Sequence, residues 1–213
     1  MTTTPQPADW NWLGPLLDFG GCLTFACGAN SDQVLGAFDI DPDTAVERTL
    51  QQTMSDPAVK AFREPPFWVR VADLGEWAVA VEVAQAKGYL DQIELDLSVD
   101  FDVLTMVFSV VDPPILRLLG QYGVITAMSL SEGYDTRWGS DPHGLDPALE
   151  SAGLLDFTAH PPRGTAFSRA AAAVAAQLDI ELDADTFTGP LLTGSRDHPY
   201  MYAPGPRGPQ VSP

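Results

Sequence analysis

Positive charge is what this chain has least of. Eleven Lys and Arg stand against 29 Asp and Glu, which leaves a formal net charge of −18 over 213 residues. Such a field repels phosphate backbones and anionic lipid heads over about a Debye length of 8 to 10 Å, so neither nucleic acid nor a membrane surface is an expected partner. Long apolar runs are missing too: charge or Gly interrupts every stretch well before the roughly 20 residues that a membrane-spanning helix needs. The opening, Met1 to Pro7, has neither the basic start nor the apolar run of an export signal, which makes the cytoplasm the expected location.

Cysteine is limited to Cys22 and Cys27, and histidine to His143, His160 and His198. If Cys22 to Cys27 is a strand, at about 3.3 Å per residue the two Cα atoms lie about 16 Å apart, too far for a disulfide. Two small buried hydrophobes in a reducing compartment are the expectation. A zinc site needs three or more ligands, and no two histidines stand at the i, i+4 spacing of one helix face, so no metal is assigned. Walker-type GK[ST], G-x-S-x-G and H-E-x-x-H patterns are absent. Asp18-Phe19-Gly20 repeats three letters of the kinase metal-binding motif, without the Gly-rich loop, strand lysine or His-Arg-Asp that give it meaning. No catalytic residue and no cofactor are assigned, and a non-enzymatic role is expected.

What the chain does have is an apolar content of 45% with 19% charged residues, enough for a substantial core. Trp10, Trp12, Leu13, Leu16 and Leu17 suit a short amphipathic helix capped by Asp9. Cys22 to Cys27 reads as a strand, and Ser31 starts a brief helix carrying Val34, Leu35 and Phe38 inward. Asp41-Pro42, followed by Val46, Leu50 and Met54 on one face, predicts a helix over about 42–54. Phe67 to Val83 predicts a hairpin turning at Asp73-Leu74-Gly75-Glu76, with Trp77, Val79, Val81 and Val83 on one face and Glu76, Ala78, Ala80 and Glu82 on the other. Further strands are expected at Leu90 to Leu97, Val103 to Val111 and Val124 to Leu130. A helix should open at Asp146-Pro147 and close at Gly153, and an Ala-rich one should carry Phe167, Ala171, Val174 and Leu178. Short links between successive strands imply an α+β fold, a mainly antiparallel sheet packed against several short helices. The expected organisation is a flexible lead over 1–8, a single domain over 9–190, and a Gly/Pro-rich tail over 191–213.

Three places invite chemistry. The loop Ser131 to Gly144 gathers Tyr134, Arg137, Trp138 and His143, a set in which Arg137 forks onto a carboxylate while Trp138 stacks on an apolar or cationic group; turn and core-edge roles compete with this. Asp91, Glu94, Asp96, Asp100 and Asp102 run without an intervening cation, either as a solvated face or as a docking face for a basic protein. Asp179, Glu181, Asp183 and Asp185 alternate with Ile180, Leu182 and Ala184 in the same way. Glu82, in the middle of a Val/Ala strand, is expected to face solvent or to be buried with a counter-ion, for which Arg70 on the neighbouring strand is the nearest candidate; buried singly, it would have a raised pKa and look catalytic.

The order Trp12, then Cys22-Leu23-Thr24-Phe25, Gly36, Asp41-Pro42, Glu76-Trp77-Ala78-Val79-Ala80-Val81-Glu82 and Arg137-Trp138-Gly139-Ser140 with Pro142, resembles an actinobacterial family described only as a domain of unknown function. The resemblance covers about residues 9–190 and implies a bacterial cytosolic origin, with no activity attached. The expected function is therefore a non-enzymatic cytosolic interaction protein, of immunity or accessory type, docking a basic partner through an acidic surface. The alternatives are a small-molecule binder or enzyme using the 131–144 loop, and a DNA mimic.

Overall fold

A computed structural model describes residues 10–56, 67–89, 91–130, 136–155 and 162–196. Alternating apolar and small side chains build nine strands: β1 (Gly21–Cys27), β2 (Val46–Arg48), β3 (Phe67–Leu74), β4 (Trp77–Val83), β5 (Asp102–Phe108), β6 (Ile115–Gly120), β7 (Gly123–Ser129), β8 (Thr136–Trp138) and β9 (Leu191–Arg196). Among the described residues they form one antiparallel sheet in the order β2-β9-β3-β4-β1-β5-β6-β7-β8, and with seven α-helices, all but one of them short, the fold is α+β. The β3–β4 hairpin turns at the expected place: Leu74 pairs with Trp77, and Gly75 supplies the left-handed φ of +66° that the two-residue turn requires.

The two faces of β4 go to two different cores. Trp77, Val79 and Val81 join Leu23, Phe25, Leu104 and Met106 against the long helix α6 (Arg163–Gln177), the small helix α7 (Ala184–Thr188) and the N-terminal pieces, which are a 3-10 turn at Asn11–Leu13 and helix α1 (Gly14–Phe19). The Ala-rich face of α6 brings it close under β5, and α5 (Asp146–Ser151) lies beside it. On the opposite face the small Ala78 and Ala80 admit α2 (Ser31–Ala37), whose Val34 and Leu35 pack on β3 and β4, and α4 (Asp91–Ser98) covers β5 and β6. Asn30 and Gln33 close α2 with a reciprocal capping box, and Asp73 receives the backbone and hydroxyl of Ser31 at 2.7 and 2.9 Å.

Four sequence expectations are corrected. The helix expected over 42–54 is three pieces: a single 3-10 turn at Pro42–Thr44, strand β2, and helix α3 (Leu50–Ser55) started by a capping box from Thr49. Val46 is half exposed and pairs with Thr193 of β9, a nonlocal pairing that overrides the helical spacing. The strand expected at Leu90 to Leu97 is the helix α4, which buries Ile93 and Leu97 one turn apart. The tail expected from residue 191 begins instead with β9, an interior strand between β2 and β3. Part of the 131–144 loop is the edge strand β8. The capping role expected of Asp9, the lead over 1–8 and the tail beyond 196 lie outside the described residues.

Candidate functional site

Arg137 and Trp138 are neighbours in a strand, so their side chains leave on opposite faces. Arg137 follows Met128 toward the α6 side, where its guanidinium meets Asp146 at 3.2 Å, and His143 Nδ1 lies 2.9 Å from the same carboxylate. Asp146 opens α5, so Arg137 and His143 together tie the edge of the sheet to that helix. Trp138 registers with Ala127 on the other face and stays partly exposed. The fork and the stacking ring expected to share one ligand are thereby separated. Tyr134 lies outside the described residues.

The acidic run divides in a similar way. Glu94 is fully buried under α4 and ion-paired with Arg117 of β6, whose guanidinium also stacks on Tyr89 at 4.4 Å from the ring centre. It is therefore a structural residue and not part of an acidic face. Asp96, Asp100 and Asp102 are exposed, while the side chain of Asp91 lies outside the described residues.

Glu82 is buried too, but not with Arg70. Arg70 registers with Val81, one residue from Glu82, and so points to the opposite face. There it donates to the carbonyls of Phe187 and Gly189 at 2.7 and 2.6 Å, fastening α7 to β3. The Glu82 carboxylate accepts the backbone N–H of Lys87 and of Gly88, both at 2.7 Å, which closes the loop between β4 and α4. Burial pushes this carboxyl up to about 7; the two N–H groups and the Lys87 charge pull the other way. Gly88 lies so close to Thr24, Glu82 and Phe38 that a Cβ would not fit beside them. Cys22 adjoins the same spot, 3.5 Å from the Thr24 hydroxyl, and burial, with the Glu82 charge second, holds its thiol well above the ordinary value. Glu82, Thr24 and Cys22 thus make a buried polar strip, in which the Glu82 carboxylate is spent on holding the loop down.

One end of the sheet behaves differently. By register the end of β1, the β3–β4 turn, the start of β5 and the β6–β7 turn all meet there. A cleft of about 490 Å³ is lined by Leu74, Gly75, Glu76, Trp77, Leu178, Asp179 and Glu181. A second, of about 320 Å³, is lined by Cys27, Val99, Asp100, Phe101, Asp102 and Gln121. Among the described residues, five carboxylates and no Lys or Arg line the two. Cys27, between them, registers these charges: burial raises its thiol first, and Glu76 from one cleft and Asp102 from the other raise it further. Sequence reading did not join Glu76 to Asp179 and Glu181, which are a hundred residues apart; the bond from Trp77 Nε1 to the Leu178 carbonyl, 3.2 Å, brings them together.

Among the described residues three arginines, Arg70, Arg117 and Arg137, are turned inward, while Arg163 and Arg169 are exposed. Arg48 pairs with Asp56, Arg117 with Glu94, Arg137 with Asp146 and Arg196 with Asp39, while Arg70 holds backbone carbonyls. Asp183 is also occupied, since it caps α7 through the Thr186 N–H, which lowers its own ionisation range. No group of three or more His, Cys, Asp and Glu among the described residues converges to hold a metal ion, and none of the described helices is long and apolar enough to cross a membrane. Comparison with protein-family models, with curated proteins and with solved structures finds no match to this chain.

Proposed function

We propose that this chain is a non-enzymatic recognition protein, of immunity or accessory type, that engages a basic protein through the acidic end of its sheet. The observation that carries the reading is the placement of charge. Arg117 and Arg137 are turned into largely buried ion pairs and Arg70 onto buried carbonyls, whereas Glu76, Asp100, Asp102, Asp179 and Glu181 are exposed around two adjoining clefts that, among the described residues, no Lys or Arg lines. Potentials add over such a group, so a partner's Lys and Arg side chains are steered to this end and selected by it. The free thiols of Cys22 and Cys27 support action in the reducing cytoplasm.

The test is affinity capture from the native cytoplasm at low and at high salt, with the chain itself and with a variant in which those five carboxylates become amides. A basic protein recovered at low salt, released by salt, and not recovered by the variant supports the reading. No basic partner at low salt, or equal recovery by the variant, overturns it.

A further inference from the structure

Helix α4 turns Ile93, Glu94, Leu97 and Ser98 inward onto β5, β6 and α2. Its outer face then carries Gln92, Leu95, Asp96 and, just past its end, Val99. A solvent-facing helix surface is ordinarily polar. Here Leu95 and Val99, one turn apart, are 51% and 67% exposed, and Asp96 and Asp100 follow each of them in the chain. The apolar stripe does not stop at the helix end. Val99 is also a wall of the 320 Å³ cleft, so the stripe runs on into a concavity walled by Phe101 and edged by Asp100 and Asp102. Beside it, at the β6–β7 turn, Tyr122 is 95% exposed.

From this we infer that the outer face of α4 and the cleft at its end form one docking groove for a cationic amphipathic segment of a partner protein. Apolar side chains of that segment lie on Leu95 and Val99, and its Lys or Arg side chains reach Asp96, Asp100 and Asp102. The inference rests on the reading of a basic partner and adds where and by what pattern it is recognised. Charge complementarity selects the occupant. From Asp91 to Asp102 the chain has no Lys or Arg, and the guanidinium of Arg117, on the strand beneath α4, is turned inward onto Glu94 and Tyr89. A second copy of this chain brings another −18, and an anionic lipid surface brings the same sign, so each meets repulsion where a cationic segment meets attraction. The apolar stripe separates this groove from a merely acidic surface, because it rewards alignment of apolar residues at helical spacing and not charge alone.

Three fluorescent peptides test it by anisotropy: a Leu/Lys helix with one apolar stripe, the same composition scrambled, and the striped pattern with Glu for Lys. The striped cationic peptide should bind at low salt, the scrambled one about tenfold more weakly, and the acidic one not at all. Leu95→Ser with Val99→Ser, both at exposed positions, should weaken the striped peptide by about tenfold without moving the melting temperature. Equal binding of striped and scrambled peptides, or full binding by that double variant, overturns the groove. If the double variant binds fully while Glu76→Gln, Asp179→Asn and Glu181→Gln together abolish binding, the groove is wrong and the basic-partner reading survives. If no cationic peptide binds at low salt, both fail.

Discussion

Replacing Glu82 by Gln separates one buried titration from everything else that titrates. The native carboxylate accepts two backbone N–H groups at 2.7 Å, yet burial between β1, β4 and the overlying loop raises its ionisation from 4.5 to about 7. The folded chain therefore holds this proton more tightly than the unfolded chain. Between about pH 4.5 and about pH 7 folding takes up a proton, so the Glu82 contribution to stability is greatest at the acid end and is lost as pH rises through about 7. At about 1.4 kcal/mol per pH unit the loss amounts to about 3 kcal/mol, and above the window it stays constant. Urea unfolding of native chain and variant in matched buffers from about pH 4.5 to about pH 8 gives the difference in stability directly, with other titrations cancelling. Gln satisfies only one of the two N–H groups with its oxygen, which displaces the whole difference curve but adds no slope. The native chain should lose about 3 kcal/mol relative to the variant across the window. A flat difference refutes the reasoning by showing that the carboxyl holds its proton equally in the folded and unfolded chain. A difference that grows with pH refutes it in the other direction, since the two N–H groups and Lys87 would then outweigh burial.

Arg117→Met leaves the Glu94 carboxylate buried without its arginine and should cost about 3 to 5 kcal/mol in urea unfolding, while Arg117→Met with Glu94→Leu should recover most of that loss. Arg70→Met removes the donor from the carbonyls of Phe187 and Gly189, with an expected cost of about 3 kcal/mol and faster amide exchange in α7 and β9. Gly88→Ala drives a methyl group into Thr24 and Phe38 and should destabilise by about 1 to 3 kcal/mol, read as a lower melting temperature. Alkylation followed by mass spectrometry should label Cys27 slowly in the native chain and Cys22 only after unfolding, because Cys22 is buried and its thiol is raised.

Elements whose own sequence carries one clear period were readable, and those with an ambiguous period or a distant partner were not. The β3–β4 hairpin declares itself through strict alternation and a Gly turn, and β1 through a bounded β-rich run. Helix α4 misleads because Ile93, Leu95 and Leu97 fall at period two as well as Ile93 and Leu97 at period four. Burial of Glu94 and the Gln92 to Asp96 bond, 2.7 Å and one turn apart, accompany the helical outcome. Strand β2 is three residues long and exists through β9, which lies about 145 residues later, so no local pattern encodes it. The same holds at the site. The acidity of residues 91–102 is plain in the sequence, but the withdrawal of Glu94 depends on β6 lying under α4. Arg137 and Trp138 look like one site because they are adjacent, and the strand that contains them is the reason they are not.

Strand β9 supplies a neighbour to both β2 and β3, and Arg70 clasps the two carbonyls just ahead of it. During synthesis, the outer border of β3 therefore stays open, with its backbone amides and carbonyls unclaimed, until residues 191–196 have left the ribosome. Sheet borders of that kind invite pairing with other chains, so the emerging polypeptide passes through an aggregation-prone interval that ends only when this late segment slots in. Its large like-sign charge keeps neighbouring nascent copies apart for that time.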